Sequence, residues 1–144
     1  MSAMSDYLEN KMVDQLFRGQ TAPTTSTLYV ALLTAAPSDS GGGTEVSGGA
    51  YARVAVTSSL ANWSGTQSTG STTASSGTGG QTSNNIAITF PTPTATWGTV
   101  THFGIYDAST GGNLLFYGAL TISKTINQAD TVTFPAASLS VTFA

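Results

Sequence analysis

From Met4 to Leu16 apolar residues return every fourth position, at Met4, Leu8, Met12 and Leu16, which is the spacing of one helix face. Ser5 can cap the first turn, Asp6 and Glu9 suit its positive end, and Gly19 suits the stop. The spacing predicts one amphipathic helix over 5–18, about four turns at 3.6 residues each. Its stripe of Leu8, Met12 and Leu16 needs cover, either from the domain's own sheet or from a neighbouring protein, so these residues are candidate partner contacts.

Beyond a polar connector the period falls to two. Leu28 to Ala35 (LYVALLTA) is apolar on both faces and reads as a buried strand, ended by Pro37 and the loop SDSGGG. In Tyr51 to Thr57, Ala52, Val54 and Val56 share a core side while Tyr51, Arg53 and Thr57 share a wetter one. Ile86, Ile88 and Phe90 alternate with Ala87 and Thr89 before Pro91 and Pro93. WGTVTHFGIYD (97–107) continues in β-type residues, and ASTGGN closes a hairpin into LLFYGALTIS from Leu114. Val132 and Phe134, then Leu139, Val141 and Phe143, alternate with Ser and Thr to the end. The ITF, VTF and VTF triplets express strand chemistry, not a repeat.

About seven strands follow one helix, with no second helical pattern to make a crossover. The expectation is an all-β protein: a β-sandwich or jelly-roll-like domain with one N-terminal amphipathic helix, a single domain over 1–144 with the sandwich at 28–144. Within it, Ser64 to Asn85 is Ser/Thr/Gly-rich without apolar periodicity, and is predicted to be a flexible loop over about 64–85, either mobile or ordered by a partner.

Charge narrows the function. Only 8% of residues are charged, seven acids against Lys11, Arg18, Arg53 and Lys124, for a net charge of −3. No basic patch can neutralise several phosphates, which argues against nucleic-acid binding. Five of these charges, Asp6, Glu9, Lys11, Asp14 and Arg18, crowd into the helix, marking it as a different kind of segment. There is no cysteine, so packing or oligomerisation must stiffen the fold. The opening residues lack the apolar stretch of a signal peptide, and nothing later reaches the roughly 18 apolar residues of a membrane span, so folding in the cytosol that makes the chain is expected.

Candidate chemistry is sparse. The single imidazole, His102, lies in a strand with Asp107 five positions on and no Gly-x-Ser-x-Gly elbow, the pattern of a structural histidine. Asp39, Glu45, Asp107 and Asp130 are separate loop acids with no sign of facing one another across a cleft. Asp39 to Glu45 is oxygen-rich but lacks EF-hand spacing, and its glycines suffice as turn formers. Asn62-Trp-Ser64 matches a glycosylation triplet without the secretory route it needs. Trp63 and Trp97 suit the ends of the sandwich core; Trp63, beside the long loop, is also a candidate anchor for a partner or sugar. No catalysis, cofactor or metal is expected.

The blocks DYLENKMVDQLFRG, TLYVALLTAAPSDSGGGTEVSGGAYARVAV and ITFPTPTATWGTVTHFGIYDASTGGNLLFYGAL resemble a family of small tailed-phage proteins, over nearly the whole chain apart from the Ser/Thr/Gly loop. The resemblance implies a virion structural protein and carries over no catalytic residue. With the size of the chain, it leads to the expectation of a capsid cement (decoration) protein, a homotrimer contacting the major capsid protein in the virion after assembly in the host cytoplasm. The alternative is a tail fibre, tail-tip or baseplate component that contacts tail proteins and binds the host surface.

Overall fold

An apolar run with no polar face must lie inside a sheet with both sides covered, and Leu28 to Ala35 sets the arrangement of the chain. In the computed structural model, which describes residues 2–143, the elements in chain order are β1 (Ser2–Met4), α1 (Asp6–Arg18), β2 (Thr27–Ala35), β3 (Thr44–Glu45), β4 (Val54–Thr57), β5 (Gln81–Ser83), β6 (Ile88–Thr89), β7 (Gly98–Tyr106), β8 (Leu114–Ile126), β9 (Thr133–Phe134) and β10 (Ser140–Thr142). Met1 and Ala144, the ends of the expected domain, lie outside the described residues. The protein is all-β with one helix, and every strand pair is antiparallel.

A six-stranded sheet runs β1-β8-β7-β2-β3, with β4 also beside β2. β2 pairs along one edge with β7, and its other edge is shared by β4 at the start and β3 at the end. Two small sheets, β5 with β10 and β6 with β9, form the rest. Val30, Leu32, Phe103 and Ile105 of the large sheet, Ile88 and Val141 from the small pairs and Leu139 just before β10 all lie in one buried cluster. Burial of each such side chain contributes about 1.5–3 kcal/mol. On the opposite face of β2, Ala31 and Leu33 are buried as well. Gly104 makes room there: a Cβ would meet the Tyr106 ring at 2.9 Å and Leu114 at 3.2 Å.

Several boundaries differ from the sequence pattern. Met4 belongs to β1, not to the helix stripe, because it pairs with Phe116 across the β8 edge. Of Tyr51 to Thr57 only Val54 onward is strand, and Ala52 is exposed. Tyr51 turns inward: its hydroxyl accepts the Leu32 amide at 3.0 Å, between the last β4 pair at Val30 and the first β3 pair at Leu33. A side chain thus supplies the ladder bond that neither edge strand reaches. Ile86 is exposed ahead of the two-residue β6, whereas Ile88 and Phe90 are buried.

The Ser/Thr/Gly stretch also carries structure of its own. Its end is β5, whose Ser83 amide donates to the buried Ser64 hydroxyl at 2.9 Å. Within it the Gln67 amide nitrogen reaches the Ser71 and Thr73 hydroxyls at 2.6 and 2.8 Å, while its oxygen accepts from the Ser76 amide at 3.3 Å. Polar side chains that cannot build an apolar core satisfy the local backbone instead.

Asn84 joins this stretch to the β9–β10 turn. Its side chain is 0% exposed, donates to the Ile86 and Pro135 carbonyls at 2.7 and 2.8 Å, and accepts from the Leu139 amide at 2.9 Å. An Asn84→Ala substitution leaves those buried groups without partners, and a loss of about 3 kcal/mol is expected. Urea unfolding followed by tryptophan fluorescence measures it; a loss below about 1 kcal/mol would mean that the turn is held by packing alone.

Candidate functional site

The surface divides into what the fold uses and what it leaves open, and α1 is the clearest instance of the second. Its start is fixed: the Ser5 amide donates to the Leu115 carbonyl at 3.0 Å, the Ser5 hydroxyl donates to the Leu114 carbonyl and accepts from the Leu8 amide at 3.3 Å, and the Asp6 amide donates to the Asp39 carbonyl at 2.9 Å. Ser5 is itself buried, so the N-cap doubles as a latch on β8. At the other end Gly19 takes the left-handed conformation at φ 67° and its N–H closes on the Asp14 carbonyl.

Between latch and stop no helix residue is buried. Leu8 and Met12, two of the expected partner contacts, are half-buried. Leu16, the third, is 67% exposed, together with Val13 and with Phe17 at 81%. Residues three and four apart share a helix face, so Val13, Leu16 and Phe17 form one apolar ridge, offset from the Leu8–Met12 line that the sequence singled out. Trp63 has a different place: it is half-buried against the core, bridged to Asn84, and its indole N–H has no partner among the described residues. Trp97 closes the core as expected and donates to the Gly49 carbonyl at 2.8 Å.

A second open feature is a groove of about 770 Å³ on the other half of β8. Its cause is a bulge. Pairing steps from Val100↔Lys124 to His102↔Ala119, so β7 advances two residues while β8 advances five, and Leu120 to Ser123 leave the ladder. Core residues Leu32, Val100 and Phe103 line the groove together with Leu120, Phe134 and Leu139, and Ile122 stands at its opening, 81% exposed. Lys124 and Asp130 are its charged residues. Nothing local in the sequence marks it, since its lining runs from Ser2 to Thr142.

The polar clusters are spent on the fold. Arg53 makes a bidentate pair with Glu45, 2.8 Å on each arm, donates to the Ala108 and Gly111 carbonyls at 2.8 Å, and stacks 3.7 Å over the Tyr106 ring. Tyr51 adds a hydroxyl to Glu45 at 2.8 Å. Arg53 therefore clips the 107–113 hairpin loop to β3, a role that period-two alternation could not show. Burial pushes the Glu45 carboxyl up, but hydrogen bonds from Arg53 and Tyr51 outweigh it and hold the group below its ordinary value. On the latch side, Tyr117 donates to Asp39, which pushes its phenol up to about 12.

The remaining candidates are apart from one another. His102 Nδ1 lies 2.8 Å from the Thr101 hydroxyl. Asp107 holds Asn113 through its backbone and side-chain nitrogens at 2.7 and 2.8 Å, and Asp130 accepts from the Asn127 amide at 2.8 Å. Asp39 and Glu45, the ends of the oxygen-rich loop, have separate partners in Tyr117 and Arg53. Among the described residues no three His, Cys, Asp or Glu side chains come together as a metal site. What the surface leaves open is an apolar ridge on α1 and a groove on β8 whose lining mixes apolar side chains with Ser, Thr, Lys124 and Asp130.

A family model described as Podophage GP4 fiber I protein gp80 matches residues 3–142. No curated protein matches the chain.

Because the folded carboxyl of Glu45 protonates below the ordinary value of 4.5, the unfolded chain takes up its proton first as the pH falls. The clip's stabilisation is therefore present above the ordinary carboxylate range and lost as the pH drops through it. In thermal unfolding between about pH 6 and pH 3, Glu45→Gln is expected to be less stable than the parent at the upper end and to fall less steeply. Arg53→Ala, which leaves the partly buried Glu45 carboxylate without its cation and with only the Tyr51 hydroxyl, is expected to cost about 3 kcal/mol at neutral pH. Parallel pH profiles for parent and Glu45→Gln would contradict this assignment.

Proposed function

We propose, from the premise that the chain belongs to the family of the podophage GP4 fiber I protein gp80, that this tailed-phage virion structural protein is a tail-associated fibre component that assembles with copies of itself and with neighbouring tail proteins. The observation that carries the reading is the match over residues 3–142, which names a fibre. The capsid cement role expected from size draws no support from that description. An apolar ridge at Val13, Leu16 and Phe17 and a groove of mixed lining on β8 supply surfaces for assembly. No catalytic role enters this reading: His102, Asp107, Asp130 and Glu45 each hydrogen-bond to a different partner, Thr101, Asn113, Asn127 and Arg53. Assembly takes place in the host cytoplasm.

Particles made without this chain separate tail from head. The expected outcome is a fall in adsorption to host cells of tenfold or more, at an order of magnitude, with heads that retain DNA on heating as the parent does. Unchanged adsorption with earlier DNA release would instead establish the cement role.

A further inference from the structure

A helix turns about 100° per residue, so the contacts of α1 with its own domain fix which side faces away. Tyr7, Leu8, Lys11, Met12 and Asp14 are half-buried and share the side turned toward the β-domain; after Asp14 every helix residue is exposed. Asp6, Glu9, Asn10, Val13, Leu16 and Phe17 are exposed and share the opposite side, within about 120° of arc. Along that outer side the chemistry changes from end to end. Its first half carries the two acids, and its second half carries the apolar ridge of Val13, Leu16 and Phe17. Both cations of the helix lie off it: Lys11 sits over the Tyr7 ring at 5.8 Å, and Arg18 pairs with Asp14 at 3.2 Å.

A face of that composition suits one kind of partner. Three large apolar side chains at 50, 67 and 81% exposure lose their water only against an apolar groove. Asp6 and Glu9 complement the positive end of their own helix, and among the described residues neither is in an ion pair. A groove that takes the ridge brings both acids close to its wall, where an Arg or Lys satisfies them and a bare apolar wall does not. We infer, within the assembly role proposed above, that the outer side of α1 docks in an apolar groove of a different virion protein, one whose wall carries Arg or Lys where it receives the helix N-terminus.

A second copy does not offer such a groove. The chain has four Lys and Arg in all. Arg53 is clipped to Glu45, Arg18 pairs with Asp14 and Lys11 lies over its own Tyr7; Lys124 lines the β8 groove together with the acid Asp130. The apolar floor of that groove is core, with Leu32, Val100, Phe103 and Leu139 each at 5% exposure or less, so it holds little surface for a ridge to cover. A lipid surface fits no better, because a helix lying in a membrane interface carries Lys and Arg beside its apolar side, whereas here two acids would enter the head-group layer with the ridge. One helix in one groove buries less than the roughly 1,600 Å² of a standard interface, so retention on the particle depends on the few central side chains.

Phage carrying variants of this chain test the docking, with copies per purified particle measured by quantitative immunoblot. Phe17→Glu, at a position 81% exposed, is expected to keep its fold and to fall by about tenfold or more in the particle. Ile122→Glu, equally exposed but on β8, is expected to stay at the parent level. If circular dichroism shows that Phe17→Glu has lost its fold, Leu16→Gln takes its place with the same expectation. A benzophenone side chain at position 17 is expected to crosslink to a different virion protein. Glu9→Lys is expected to lower incorporation by about threefold or more, and reversing the partner's Arg or Lys nearest the crosslink is expected to restore it. Parental incorporation of Phe17→Glu, an equal fall for Ile122→Glu, a crosslink to a second copy of this chain, or no cation whose reversal restores Glu9→Lys would each overturn the proposal. So would sedimentation of the purified chain with vesicles of phosphatidylcholine and phosphatidylglycerol that Phe17→Glu abolishes. A crosslinked partner that belongs to the head contradicts the tail placement and leaves the docking standing, whereas parental incorporation of Phe17→Glu does the reverse.

Discussion

Capture of Ser5 by the carbonyls of Leu114 and Leu115 decides which part of the chain stays available to partners. A helix of about 20 Å has to leave a β-domain somewhere, and its exit is set at its first residue by a buried cap. Beyond that point α1 has no fully buried side chain, so its stability rests on its own caps, on the half-buried Leu8 and Met12 and on the Asp14–Arg18 pair. A short amphipathic helix is marginal under those terms.

The same strand that receives the latch opens the groove. β8 pairs with β1 outside and β7 inside along its first half; past Gly118 it has no outer partner among the described residues, and past Ala119 it bulges away from the inner one. Backbone freed from a ladder is where an all-β domain can expose apolar surface without dismantling its core, and Ile122 is the result. With few charges on the surface, cross-strand hydroxyl pairs such as Thr99–Thr125 and Thr89–Thr133 cover the sheets elsewhere, at 2.9 and 3.0 Å. The apolar ridge of Val13, Leu16 and Phe17 and the exposed Ile122 stand out on a surface with few charges.

Elements governed by local chemistry were legible in the sequence. Ser5, Gly19 and the four-residue period locate α1, and the two-sided apolar run of Leu28 to Ala35 locates the central strand. The hairpin from Tyr106 to Leu114 follows from its Gly-rich turn. Features made by distant residues were not legible. Met4 is drawn into β1 by Phe116, and Tyr51 leaves the strand pattern to fill a gap beside Leu32. The short β5 gains its partner from β10, far along the chain. For the site, the stripe at Leu8, Met12 and Leu16 pointed to the right helix, but which side stays open depends on how the latch sets its rotation. The groove and the Arg53 clip have no sequence signal beyond the rarity of arginine and lysine.

A cryo-electron-microscopy reconstruction of the intact particle, at a resolution that shows helices, is the most direct measurement. It should place copies of this domain on the tail, with α1 of each covered by a neighbouring protein. Copies spread over the head lattice, or tail copies whose α1 stands free in solvent, would contradict the tail-fibre role and the assembly surface respectively.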